Sequence, residues 1–156
     1  MRVTKYKTML NDDKLAYLVK EDVFNYPAMD NQLNNPSLVY KFLVSAFHLS
    51  EQAEEYCYLL CFNSKMKLIG IFEISHGSVN MSFLPPREVF QKALLCNATT
   101  IIVAHNHPSG DPTPSEKDVT VMKQLKKAGD LLGVPLSDSI IIGEQSFFSF
   151  KEKEMF

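Results

Sequence analysis

No stretch of this sequence approaches the ~20 consecutive apolar residues that a membrane-crossing helix needs, so no membrane partner is expected. The start, "MRVTKYKTML", is too polar for a secretory signal. Charge of one sign is lacking as well. Sixteen Lys and Arg face eighteen Asp and Glu, for a net charge of -2 and a pI near 6.1. Such a field announces neither a nucleic acid nor a membrane surface as partner. Cysteine is scarce: Cys57, Cys61 and Cys96 are an odd set without framework spacing and sit in apolar surroundings. They read as buried thiols of a reducing compartment, which makes a cytoplasmic location the expectation. Internal repeats and low-complexity segments are absent. What is present, 46% hydrophobic and 22% charged residues in a chain of 156, suits one domain with a single core.

The patterning alternates strands and helices. Residues 1–36 form an N-terminal extension: "RVTKYKTML" alternates as an edge strand does, "DDKLAYLVKEDVF" reads as a short helix, and the Asn- and Pro-rich "NYPAMDNQLNNP" as a loop. Ser37 is the expected cap of a helix running to about Gln52, with Val39, Phe42, Leu43 and Phe47 at helical spacing. "YCYLLCF" (56–62) and "LIGIFEI" (68–74) make a hairpin about the turn "NSKMK", and Gly77 breaks the second run. "PPREVFQKALLC" starts a helix with Pro86 in its first turn, where a missing N–H costs little. "TTIIVA" (99–104) is β-branched and apolar on both faces, as a central strand is. A second amphipathic helix follows Ser115, with Val121, Met122, Leu125, Ala128 and Leu132 facing inward. "DSIIIG" and "SFFSF" close the chain as strands. The class is α/β or α+β: a mixed β-sheet flanked by helices.

Chemistry concentrates in "HNHPSGDPTPSEKD" (105–118). Residues i and i+2 of a strand share a face, so His105 and His107 at the end of "TTIIVA" can aim both imidazoles at one point. Asp118 lies in the first turn of the next helix, and the Pro/Gly-rich connection folds the chain back between them. Two neutral imidazoles and one carboxylate suit Zn²⁺, and three protein ligands leave a fourth tetrahedral position for water. The plainer alternative for each residue alone is an exposed turn histidine, or a carboxylate that favours a helix dipole. The letters "HNH" also spell a nuclease motif, but that motif's residues are dispersed over a ββα unit.

The constellation resembles the JAMM (JAB/MPN+) metallohydrolases, and within them the bacterial RadC branch. The resemblance rests on "HNHPSGDPTPSEKD", on "PPREVFQKALLCNATTIIVA" upstream and on "LLGVPLSDSIIIG" downstream, and it spans about Glu55 to Phe150. The family motif is an upstream Glu, then His-x-His, seven residues beginning with Pro, Ser, two residues and Asp. By that resemblance residues 37–156 are a RadC-like JAB/MPN domain of cytidine-deaminase-like architecture. It implies that His105, His107 and Asp118 ligate zinc, that Ser115 is the motif serine, and that Glu55 is the catalytic glutamate. Glu73 is the second choice for that role, and Glu54 is one register off. Ser115 would donate to a developing oxyanion or only cap its helix. Two departures stand out. RadC-like chains usually carry a helix-hairpin-helix region, whereas residues 1–50 hold no Gly-centred hairpin, which weakens the link to DNA. They also tend to have Asp-His where this sequence has Asp138-Ser139.

The expectation is a zinc-dependent hydrolase of an amide or isopeptide bond acting on a peptide or protein. The alternatives are a RadC-type DNA repair or mobile-element binding module whose metal does not turn over, and a small-molecule amidase. Other polar residues read as structural. His48 and His76 are exposed or turn residues, Arg87 pairs with a nearby carboxylate, and "KQLKK" (123–127) is a solvated face that would also be the best basic patch for DNA. Phe147, Phe148 and Phe150 belong to the core or to an edge that pairs with a second subunit in a homodimer.

Overall fold

Seven strands form a sheet in the order β2-β1-β4-β3-β5-β6-β7. In chain order the computed structural model has β1 (Arg2–Leu10), β2 (Ala16–Asn25), α1 (Pro36–Phe47), β3 (Glu55–Phe62), β4 (Leu68–Gly77), α2 (Pro86–Leu95), β5 (Thr100–Asn106), α3 (Glu116–Leu132), β6 (Leu136–Ile142) and β7 (Phe147–Ser149). The structure describes residues 1–27, 33–77 and 84–155, so the loop expected over 25–36 lies partly outside the described residues. The sheet is mixed: β1 runs parallel to β4 and β5 parallel to β6, while the other neighbours are antiparallel.

Both faces are covered, which is why β3 and β5 carry near-continuous apolar runs. On one face Val89, Phe90 and Ala93 of α2 and Met122 and Leu125 of α3 pack on Cys57, Leu59, Cys61, Ile101, Val103 and Ile141. On the other, Val39, Phe42 and Leu43 of α1 meet Leu60, Phe62, Ile71, Ile102 and Ile140. None of the three cysteines is in a disulfide. No helix among the described residues is long and apolar enough to cross a membrane.

Four local expectations are corrected. "DDKLAYLVKEDVF" is not helical, because Asn11 turns the chain into a hairpin. Its side-chain oxygen accepts the Leu15 N–H at 2.9 Å, its carbonyl accepts the Lys14 N–H at 3.0 Å, and Lys14 takes a left-handed φ of 62°. Such Asn/Asp turn chemistry competes directly with a helix start, and residues 16–25 then pair along β1. The first helix is capped by Asn35, whose Oδ1 accepts the Leu38 N–H at 2.9 Å, and not by Ser37. Pro36 fits only the first helical position, which makes the residue before it the cap. That helix ends at Phe47, where His48 turns left-handed (φ 51°), and a short 3-10 turn, Leu49–Glu51, follows. Leu132 is 45% exposed; the chain reverses at Gly133 (φ 69°), and Val134 and Leu136 enter the core instead.

The connection from β5 to β6 through α3 positions the chemistry, since it carries the chain from the end of β5 back alongside its start. The loop of residues 107–115 packs on the turn after β6. The Glu144 N–H donates to the Gly110 carbonyl at 3.0 Å, and a Cβ on Gly143 would overlap that same carbonyl and approach Pro112 Cδ to 2.8 Å. Gly143→Ala is expected to destabilise the protein by about 1–3 kcal/mol, the usual cost of overpacking. Urea denaturation checks this; an unchanged midpoint would contradict the packing.

Candidate metal centre

Four side chains, from β3, β5, the loop after β5 and α3, meet where β5 ends and α3 begins. His105 is fully buried on β5, and His107 follows β5 in the first residue of the loop, half-buried. Asp118 sits in the first turn of α3 and Glu55 opens β3; both are buried. The His105 and His107 Nε2 atoms are 3.2 Å apart. Asp118 places Oδ1 3.3 Å from His105 Nε2 and Oδ2 3.6 Å from His107 Nε2. Glu55 Oε1 stands a little farther off, 3.9 Å from His105 Nε2.

Two of the four groups, His107 and Asp118, are held by hydrogen bonds from outside the cluster. The His107 N–H donates to the Ile142 carbonyl at 2.9 Å, tying the loop to the end of β6. His107 Nδ1 lies 2.8 Å from the Asp111 carbonyl. A carbonyl only accepts, so Nδ1 carries the proton, and neutral His107 presents its Nε2 lone pair to the cluster. Asp111 is itself fixed by an Asx-type turn, its Oδ1 accepting the Thr113 N–H at 2.9 Å and hydroxyl at 2.7 Å. Here lies the use of "SGDPTP": a stiff turn that aims one carbonyl at one imidazole. Asp118 is fixed by a capping box. The Ser115 N–H and hydroxyl donate to Asp118 Oδ2 at 2.8 and 2.6 Å, and the Asp118 N–H donates to Ser115 Oγ at 3.2 Å. With Oδ2 so engaged, Oδ1 is the oxygen left facing His105.

The electrostatics follow from this crowding. Burial works against the Asp118 charge, but the adjacent His105 and His107 imidazoles and the Ser115 hydroxyl outweigh it and hold the carboxyl well below the usual range. The same Asp118 contact raises the His107 pKa, against the opposing effect of burial and with help from the Asp111 carbonyl.

A divalent cation fits the donor set. Two ligands at Zn–N or Zn–O distances of ~2.0–2.1 Å and a tetrahedral angle stand about 3.3–3.4 Å apart, close to the 3.2, 3.3 and 3.6 Å found among His105, His107 and Asp118. The ligand atoms of Glu55, His105 and His107 also lie within 4.8 Å of one another. Either carboxylate can therefore join the two imidazoles. Asp118 is the closer, and Glu55 is the one standing back from them. His105 Nδ1 is buried without a hydrogen-bond partner among the described residues, so Nε2 is the nitrogen of this ring that meets polar groups.

The structure thus brings together His105, His107, Asp118, Ser115 and Glu55. Glu73 is engaged elsewhere, with Lys5 Nζ at 3.1 Å and His76 Nδ1 at 2.8 Å. Burial still raises its cost of ionisation, but Lys5 and His76 hold its carboxyl below the usual range. Glu54 is exposed. His48 is exposed and lies 3.7 Å from Glu51, while Arg87 reaches Glu88 at 3.4 Å. Asp138 is buried, its carboxylate taking the Ser139 and Lys151 N–H groups and the Ser149 hydroxyl, which binds β6 to the turn after β7. Asp111 escaped the reading of the sequence, although Asp before Pro-Thr, four residues after a histidine, is a recognisable turn signal.

With this geometry in hand, comparison with known proteins is informative. A family model described as RadC-like JAB domain matches residues 33–155. A UPF0758 protein of Geotalea uraniireducens (strain Rf4) is 41% identical over 124 residues, covering 80% of this chain and 54% of that protein. One from Thermotoga maritima is 38% identical over 122 residues, 78% of this chain and 54% of the relative. One from Alkaliphilus metalliredigens (strain QYMF) is 47% identical over 102 residues, 65% and 44% respectively. The chain spans about half the length of the curated relatives it matches.

Because Ser115 Oγ both caps α3 and holds Asp118, Ser115→Ala is expected to cost about 1 kcal/mol of stability. It should also weaken binding of a divalent cation at this cluster about 10–100-fold, as loss of a ligand's outer partner does. Urea denaturation and chelator competition measure the two effects; a stability loss with unchanged affinity would reduce Ser115 to a helix cap.

Proposed function

This chain belongs to the RadC-like JAB domain family, and from that premise we propose that it is a zinc-dependent hydrolase of the JAMM type, cleaving an amide or isopeptide bond. The observation that carries the reading is the convergence of two imidazole nitrogens and the Asp118 carboxylate within 3.2 to 3.6 Å, with a second buried carboxylate, Glu55, beside them. A purely structural zinc site closes all four positions with protein ligands, whereas three ligands and a neighbouring base suit catalysis.

In this reading His105 and His107 would hold the metal through Nε2 and Asp118 through Oδ1. Zinc held there would lower the pKa of a bound water from ~15.7 toward ~7 and would polarise a carbonyl. Glu55 accepts the proton of the attacking water at its carboxylate and returns it to the leaving amine nitrogen, base first and acid second. Ser115 is a positioning residue, because its hydroxyl is directed at Asp118 Oδ2. The substrate is a peptide or protein, the compartment reducing and cytoplasmic.

Glu55→Gln is expected to keep zinc stoichiometry while hydrolysis of a peptide and isopeptide panel falls about 10²–10⁴-fold, the usual span for a general base. His107→Ala should lose the metal itself, as elemental analysis would report. Full hydrolysis by the zinc-loaded Glu55→Gln protein would sink this mechanism. Zinc binding with no cleavage across the panel would instead favour an accessory module that holds metal without turnover.

A further inference from the structure

The residue between the two histidines has no part in the motif chemistry, yet it is buried to 1% exposure and both ends of its side chain are engaged. Asn106 Oδ1 accepts the Tyr56 N–H at 2.7 Å, and Asn106 Nδ2 donates to the Glu54 carbonyl at 3.0 Å. An N–H can only donate and a carbonyl only accept, so the amide has one orientation that satisfies both. The two peptide groups it grips are those on either side of Glu55.

The strand pairing explains why a clamp is needed there. The β3–β5 ladder ends at Cys57 opposite His105. Glu55 and Tyr56 lie beyond it, with backbone pairing only on the β4 side, to Gly77 and His76. At a strand end one ladder leaves the backbone free to twist away on its open side. The Asn106 amide takes the place of the missing peptide group, donating and accepting as a ladder residue does. With both flanking peptide planes held, the backbone dihedrals of Glu55 are fixed, and so is the direction of its Cα–Cβ bond. Because Asn106 is covalently placed between His105 and His107, one short segment sets the two imidazoles and the glutamate together.

We infer that Asn106 is the positioning residue of Glu55, setting the glutamate's distance from the metal ligands through the backbone of residues 54–56. The inference rests on the reading of Glu55 as the base. It predicts a specific division of effects. Removing the amide should leave the ligand set of His105, His107 and Asp118 intact and disturb only what Glu55 does.

The test uses cobalt(II) in place of zinc, with visible spectra followed across pH, on the intact chain and its Glu55→Gln, Asn106→Ala and Asn106→Asp variants. Asn106→Asp is nearly isosteric; it can still accept from Tyr56 but cannot donate to Glu54 when ionised. Both Asn106 variants should bind cobalt within a few-fold of the parent protein. Both should shift the pH midpoint of the spectrum in the same direction as Glu55→Gln, and lose hydrogen-exchange protection at the Tyr56 amide. On a cleaved peptide, kcat should fall about 10–100-fold with KM little changed, the range for outer-shell partners. If Glu55→Gln moves the midpoint and folded Asn106 variants do not, the inference is overturned while the base assignment survives. If Glu55→Gln itself moves nothing, the base assignment fails first. Unfolding of both Asn106 variants would make Asn106 a residue the fold requires, and would also overturn the inference.

Discussion

Two imidazole nitrogens 3.2 Å apart, with a buried carboxylate against both, form an arrangement that free side chains would not keep. Facing lone pairs repel, and three polar groups removed from water lose solvation that only a proton or a cation shared among them restores. The rest of the structure is arranged to hold that cluster in place. His107 is fixed from behind by a carbonyl, Asp118 by a serine that is also its helix cap, and His105 by its place in a central strand that is buried from Ile101 on.

The supports come from different parts of the fold. β5 is central because helices cover both its faces, and its apolar run ends where the histidines begin. The loop after it is stiffened by Pro108, Pro112 and Pro114, bent at Gly110 (φ 81°), and anchored to the turn after β6 by a glycine contact. α3 then starts with a capping box whose acidic member is also the metal-ligand candidate, so helix initiation and site assembly share one set of bonds. Rigid elements with an outer layer of hydrogen bonds are the general requirement for holding reactive groups in register. A cluster of this kind on a free loop would relax.

Much of this was legible in the residues, and the failures have physical causes. The hairpin of β3 and β4, the central strand, the capped α3 and the His105, His107 and Asp118 convergence all follow from period, caps and i, i+2 geometry. The choice of Glu55 over Glu73 did not follow from spacing. What separates the two in the structure is that Glu73 is engaged by Lys5, distant in sequence, and by His76 three residues on, while Glu55 stands 3.9 Å from His105. The N-terminal hairpin is hidden in the sequence because "DDKLAYLVKEDVF" suits a helix by composition, while the turn that overrides it is made by Asn11 and the left-handed Lys14. The role of Asn106 is not legible in the sequence, because its partners are backbone atoms fifty residues away, and backbone atoms leave no trace in a residue pattern.

On the proposed reading the cluster is a zinc site made of imidazole and carboxylate. X-ray absorption at the zinc edge of the metal-loaded protein reads that directly. The account predicts two imidazole nitrogens and oxygen neighbours at about 2.0–2.2 Å, and no sulfur. A sulfur neighbour at about 2.3 Å, which would bring in Cys57 opposite His105 on β3, or an all-oxygen shell without imidazole, would contradict it.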